Sequence, residues 1–146
     1  MNDGQARVRW HVARRVLVLH DEPAVVRLIE LALIHGLFVV RAGKNLAEAE
    51  AILSRWRPHL AVVDMDHPDS AALLLRLGAS NSLQRPSGTP VLGLTRRGDL
   101  QTRLRAFDLG VDDILTMPFW PQELLARSTV VGQEAWGRDL LLPPRM

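Results

Sequence analysis

Four short stretches of the chain are apolar at almost every position, Val16–Leu19, Leu37–Val40, Leu60–Val63 and Pro90–Thr95, and a fifth, Val111–Leu115, is apolar around the pair Asp112-Asp113. Runs of this length, rich in Val, Leu and Ile and bounded by turn formers, predict strands buried on both faces. Between them the apolar positions change period. Val25–Ile34 is apolar on most faces, broken by Arg27 and Glu30. Leu46, Ala49, Ile52, Leu53 and Trp56 recur at helical spacing, as do Leu100, Leu104 and Phe107, which share one face. Ala71–Leu77 predicts a short helix and Pro121–Val131 a final one. The punctuation agrees. Pro23 suits a first helical turn, with Asp21 as a plausible cap, and Gly36 ends that helix. Asn45 and Asp99 stand where caps belong, Pro58 closes one helix, and Gly110 stops another. Gly78–Gly88 is rich in Gly, Ser, Asn and Pro and predicts an extended loop. Residues 1–14 form a polar N-terminal extension, and 132–146, with Leu140–Leu142 and two prolines, a linker or docking strip.

Strand and helix therefore alternate five times. That order predicts one parallel sheet with right-handed crossovers and helices on both faces. All carboxyl ends of the strands then open on one edge, where ligands of open α/β sheets collect. The sequence delivers His20 and Asp21 there from strand 1, Asp64 from strand 3, Thr95 from strand 4 and Met117 from strand 5.

Composition narrows the picture modestly. At 146 residues and 47% hydrophobic content, the chain suits one domain, here residues 15–131. It has no cysteine, so neither disulfides nor thiolate metal sites arise. No apolar run is long enough to span a bilayer, and the arginine-bearing N-terminus lacks the apolar segment of a signal peptide; the expectation is a cytoplasmic protein with no membrane partner. The pI of about 10.3 coexists with a net charge of only +2, because Lys44 is the single lysine and the other cations are arginines. The high pI is thus weak evidence for nucleic-acid binding. No Ser nucleophile elbow, Gly-rich phosphate loop or metal-binding His pair is present, so an independent enzyme is not expected.

The motifs together resemble the receiver domain of two-component response regulators. Val16–Pro23 is similar to the family's first strand and acidic turn, and Val62–Pro68 to its phosphoacceptor strand. Thr89–Thr95 is similar to the strand ending in a switch hydroxyl. Leu109–Phe119 with Glu123–Arg127 is similar to the last strand, a cis-proline turn and the last helix, and most resembles the OmpR/PhoB class. The resemblance implies a flavodoxin-like, doubly wound five-stranded parallel sheet. It makes Asp64 the candidate phosphoacceptor from a histidine kinase and Thr95 the hydroxyl that follows phosphate. It gives a Mg²⁺ site made of Asp21, Asp64 and the backbone carbonyl of Asp66. It also implies a homodimer through helix 4, strand 5 and helix 5, with DNA contacted only through an effector domain that these residues do not include.

Three positions depart from the family. His20 stands for one acid of the pair, Met117 for the lysine before the proline, and Ile114 for the aromatic switch residue. An imidazole is a poor ligand for hard Mg²⁺. A methionine brings no counter-charge to phosphoaspartate. The expectation is an atypical receiver with weakened Mg²⁺ binding and weakened or absent phosphorylation, the alternative being a working Mg²⁺-dependent switch on Asp64. Plainer readings stand beside these. His20 is a neutral histidine bonded near Asp21 or Asp64, His67 a solvated loop residue, Thr95 a helix cap, and Met117 packing. The cation of Arg96 partly replaces the missing lysine, or belongs to a solvated charged face with Arg97, Arg103 and Arg105.

Overall fold

The computed structural model describes residues 13–79 and 88–140. The strands are β1 (Arg14–Leu19), β2 (Phe38–Gly43), β3 (Leu60–Asp64), β4 (Val91–Thr95) and β5 (Asp113–Thr116). The helices are α1 (Pro23–Leu33), α2 (Leu46–Trp56), α3 (Ser70–Ala79), α4 (Leu100–Leu109) and α5 (Pro121–Leu140). All strand pairs are parallel and their order is β2-β1-β3-β4-β5. This is the flavodoxin-like arrangement. Order reverses beside β1, so the crevice at a topological switch point lies between β1 and β3.

The unbroken apolar runs are explained by two cores. Val16, Val18, Leu60, Val62, Leu92, Leu94 and Leu115 face one side, where Ile29 and Leu33 of α1 and Leu124 and Val131 of α5 cover them. Leu17, Leu19, Ala61, Val63, Val91 and Ile114 face the other, beneath Ala49 of α2, Leu73 and Leu77 of α3 and Ala106 of α4. Alternate residues thus serve opposite cores, as a sheet buried on both faces requires.

Local chemistry sets most boundaries. The Asn45 side chain accepts from Glu48 N–H, and that of Asp99 from Thr102 N–H, so both act as N-caps. Gly110 closes α4 in the left-handed region at φ 111°. Arg15 donates to the carbonyls of Trp56 and Arg57, satisfying the exposed end of α2.

Several expectations are corrected. The N-cap of α1 is Glu22, not Asp21, and makes no side-chain capping bond; Pro23 still opens the helix. Past α1 a 3₁₀ turn, Ile34–Gly36, leads to Leu37 at φ 63°, so β2 begins at Phe38 and runs to Gly43. Gly36 sits in a crowded place: a Cβ there would lie 2.7 Å from Leu125 Cδ1 and 2.9 Å from Phe38 Cε2, so one of these side chains would have to shift. β5 begins two residues later than expected, because Asp112 instead brackets Val91, donating N–H to its carbonyl and accepting its N–H. α5 does not stop near Val131 but continues to Leu140. Gly132 and Gly137 look like breakers, yet each costs a helix only about 1 kcal/mol, and Gln133, Glu134 and Ala135 favour it. The N-terminal segment before residue 13, most of the Gly78–Gly88 loop, residues 141–146 and the side chain of Trp136 lie outside the described residues.

Candidate functional site

Strand register assembles the crevice. Val18 pairs with Val62, so His20 and Asp64, each two residues further on, arrive side by side. Asp64 also pairs with Leu94, which brings Thr95 to its other flank. Thr95 pairs with Thr116, and Met117 N–H donates to the Thr95 carbonyl. His20, Asp64 and Thr95 are all buried, while Asp21 is exposed.

A backbone bond orients the His20 ring. Its Nδ1 accepts from Glu22 N–H at 3.1 Å. In the neutral ring the hydrogen then sits on Nε2, which points toward Asp64 Oδ2 at 3.7 Å and has no hydrogen-bond partner. Asp64 Oδ1 accepts from Asp66 N–H at 3.0 Å. Burial pushes the Asp64 carboxyl above its ordinary range, opposed by that backbone bond and by His20.

The Asp66 side chain turns to the opposite flank. Its Oδ1 accepts from the Thr95 hydroxyl and its Oδ2 from Arg96 N–H, both at 2.8 Å. Thr95 Oγ1 in turn accepts from Arg97 N–H at 3.0 Å. Thr95 therefore does not cap α4, which Asp99 does. The Arg96 guanidinium pairs with Glu22, which holds it charged, and is not bonded to Asp64. Of the two readings of Arg96, the one in which its cation partly replaces the missing lysine meets a side chain paired with a different acid.

Met117 packs against the core under α1 and α5, and its peptide bond to Pro118 is cis. Ile114 is buried in the other core, so its side chain is packing rather than a group that swings outward.

Ligand atoms of His20, Asp21 and Asp64 lie within 4.8 Å of one another. Mg²⁺ takes oxygen ligands in an octahedral shell. The lone pair of His20 Nδ1 is engaged by Glu22 N–H, and a hydrogen-bearing Nε2 cannot ligate. His20 therefore does not fit a Mg²⁺ shell, and the two carboxylates are what the set offers a cation.

One expectation fails beside the crevice. His67 is not solvated but buried. Its Nε2 meets the Lys44 carbonyl at 2.8 Å and its Nδ1 accepts from Asp69 N–H at 2.9 Å. Asp69 Oδ2 accepts from Leu46 N–H at 2.8 Å. His67 and Asp69 thus staple the loop after β3 to the loop after β2. Nothing in the local sequence announces this, because both partners are backbone groups of another segment. The reach of Asp66 to Thr95 and Arg96 was equally hidden; its only signal is an acid two residues beyond Asp64.

On α4, the face shared by Leu100, Leu104 and Phe107 points to solvent, with exposures of 69%, 54% and 43%. Trp120, after the cis proline, is 76% exposed. Next to them Arg127 of α5 pairs with Asp113 of β5 at 2.9 Å and Glu123 at 3.3 Å. Among the described residues, no helix is long and apolar enough to cross a membrane.

Comparisons with known proteins agree with this geometry. Protein PetR of Rhodobacter capsulatus is 34% identical over 116 residues, covering 80% of this chain and 47% of PetR. The DNA-binding dual master transcriptional regulator RpaA of Synechocystis is 32% identical, covering 77% of this chain and 46% of RpaA. The phosphate regulon transcriptional regulatory protein PhoB of Pseudomonas aeruginosa is 28% identical, covering 82% and 52%. The chain spans about half the length of these curated relatives. Among solved structures, a response regulator of Chloroflexus aurantiacus superposes with TM-score 0.72 at 27% identity, covering 82% of this chain and 97% of that one. The model of the response regulator receiver domain matches residues 16–129. With that match running from β1 into α5 and the switch-point crevice in place, the chain belongs to the response regulator receiver domain family.

Proposed function

We propose that this chain is an atypical receiver that works chiefly as a phosphate-independent interaction module, controlling transcription through dimerisation or through an effector domain beyond these residues. The observation that carries the reading is Met117. Its side chain is partly buried and packed against the core under α1 and α5, at the position where the family places a lysine. A phosphoryl group on Asp64 would gain no counter-charge from it.

The neighbouring groups support the same reading. His20 presents a fixed N–H where the family has a second acid, so Mg²⁺ at Asp21, Asp64 and the Asp66 carbonyl is held weakly. Ile114 is buried packing in place of an aromatic switch. Histidine kinases remain the partner class that the family implies, and the relatives named as transcriptional regulators make DNA the eventual target of an attached effector. The outward stripe of α4, with Trp120 and the Asp113–Arg127–Glu123 cluster, supports a homodimer through α4, β5 and α5. A two-fold contact there sets apolar residues against their own copies, with charges of both signs at the rim.

The test is a titration with beryllofluoride and Mg²⁺, followed by tryptophan fluorescence, with mass measured in solution. Unchanged fluorescence and an unchanged dimer are expected. Tight Mg²⁺-dependent binding, or acetyl phosphate labelling that vanishes in Asp64→Asn, would overturn the reading in favour of a working switch.

A further inference from the structure

Asp66 has no role in the reading above except through its backbone carbonyl, yet its side chain is the most fully engaged carboxylate in the crevice. One oxygen accepts from the Thr95 hydroxyl and the other from Arg96 N–H, each at 2.8 Å. Both donors lie at the end of β4, directly after Leu94, the register partner of Asp64. Both donors therefore lie on the β4 flank of Asp64. Thr95 is fully buried, and its oxygen is fixed from behind by Arg97 N–H. Thr95 and Arg96 are therefore tied directly to one carboxylate of the neighbouring loop, and Arg97 through the Thr95 oxygen.

We propose that Asp66 is a built-in substitute for a phosphoryl group: its carboxylate supplies the anion that Thr95 and Arg96 require, and so holds the β4–α4 connection in its engaged position without any group transfer. The inference rests on the phosphate-independent reading and gives it a cause. A carboxylate is a suitable substitute, because it offers two charge-bearing acceptor oxygens at fixed spacing, and bonds to an ionised acceptor are stronger than neutral ones. The helix that follows is anchored at its trailing end by Val111 and Asp112, and its leading end has few other restraints. α4 buries only Ala106, with Thr102 half-buried, so the position of that leading end depends on the connection before it. Asp66 is a positioning residue for α4, acting through Thr95 and Arg96.

The experiment measures amide hydrogen exchange along the full chain in Asp66→Ala, Thr95→Val and the double variant, with thermal unfolding to confirm the fold and sedimentation to record the dimer in the same samples. Exchange should quicken about tenfold or more at Arg96 and Arg97 and along Leu100–Leu109 in either single variant. The double variant should be no faster than the faster single one. Acetate, but not chloride, should slow exchange again in Asp66→Ala, because it returns a carboxylate to the vacated place. Faster exchange confined to Arg96 and Arg97 with α4 unchanged would overturn the proposal, leaving Asp66 as a local loop bond. Failure of acetate to restore protection in a folded Asp66→Ala would overturn it too. A wild-type chain that never dimerises would count against the proposed function, while the α4 readout would still decide the role of Asp66.

Discussion

Leu104→Ala is the sharpest test of the α4 surface. Leu104 is 54% exposed and sits between Leu100 and Phe107 on the outward stripe. At that exposure it offers about 100 Å² to a partner, worth about 2.5 kcal/mol if wholly covered at ~25 cal/mol per Å². Truncation to alanine removes roughly half of this, about 1–1.5 kcal/mol for each copy. A two-fold contact contains the residue twice, so the dimer loses about 2–3 kcal/mol, roughly a 30- to 150-fold rise in Kd. The monomer should scarcely notice, since exposed substitutions usually stay within about 0.5 kcal/mol. The assay is sedimentation equilibrium alongside thermal unfolding. Leu75→Ala is the control, because Leu75 is 75% exposed on α3, away from the proposed face. A dimer whose Kd moves less than threefold in Leu104→Ala would refute the assignment of the interface, as would equal weakening by Leu75→Ala.

Other predictions follow from the core and the titratable groups. Burial raises the Asp64 carboxyl, so its favourable protonated contribution is complete below the unfolded pKa and lost as pH rises through the folded one. Asp64→Asn should therefore raise Tm at neutral pH, with the advantage shrinking in acid; a lower Tm at neutral pH would contradict the argument. His59, held neutral by burial and by Arg15 and Arg14, is lowered to about 4 from 6.5, so its contribution is present above about 6.5 and disappears as pH falls toward 4. Because the ring is only part-buried, the effect is about 1–2 kcal/mol after allowing for solvent screening. His59→Asn, which keeps an acceptor for Arg15 N–H, should flatten urea-unfolding stability across that window. Leu92, fully buried beneath α1 and α5, should cost about 2–5 kcal/mol as Leu92→Ala in the same urea assay. His20→Asp combined with Met117→Lys should gain Mg²⁺-dependent beryllofluoride binding over the wild type, read by calorimetry; no gain would mean the deficit lies elsewhere.

The architecture was legible because a sheet buried on both faces leaves unbroken apolar runs, and caps such as Asn45, Asp99 and Gly110 mark helix ends within a few residues. The meeting of His20, Asp21 and Asp64 was legible for a similar reason: parallel strands deliver their carboxyl ends to one edge. Direction was not. The spacing of Leu100, Leu104 and Phe107 defines a stripe, but whether it faces core or solvent depends on what lies across from it, and here Ala106 takes the inward position. Length was not legible where glycine misleads, as at Gly132 within α5. Side-chain bonds to distant backbone escaped entirely. His67 finds Lys44, and Asp66 finds Arg96, through loops that come together only once the sheet has formed.

The staple made by His67 and Asp69 gives the crevice an uneven mechanical character. On the β2 side, two loops are joined by two bonds through buried or half-buried groups, with a third bracing His67 against Asp69, over a helix whose root residues, Leu73 and Leu77, are deep in the core. On the β4 side, one carboxylate ties down the leading end of a helix that itself buries a single alanine. A disturbance at Asp64 therefore meets a stiff wall in one direction and a compliant one in the other. Displacement is channelled toward α4, the element that presents its apolar stripe to whatever docks there.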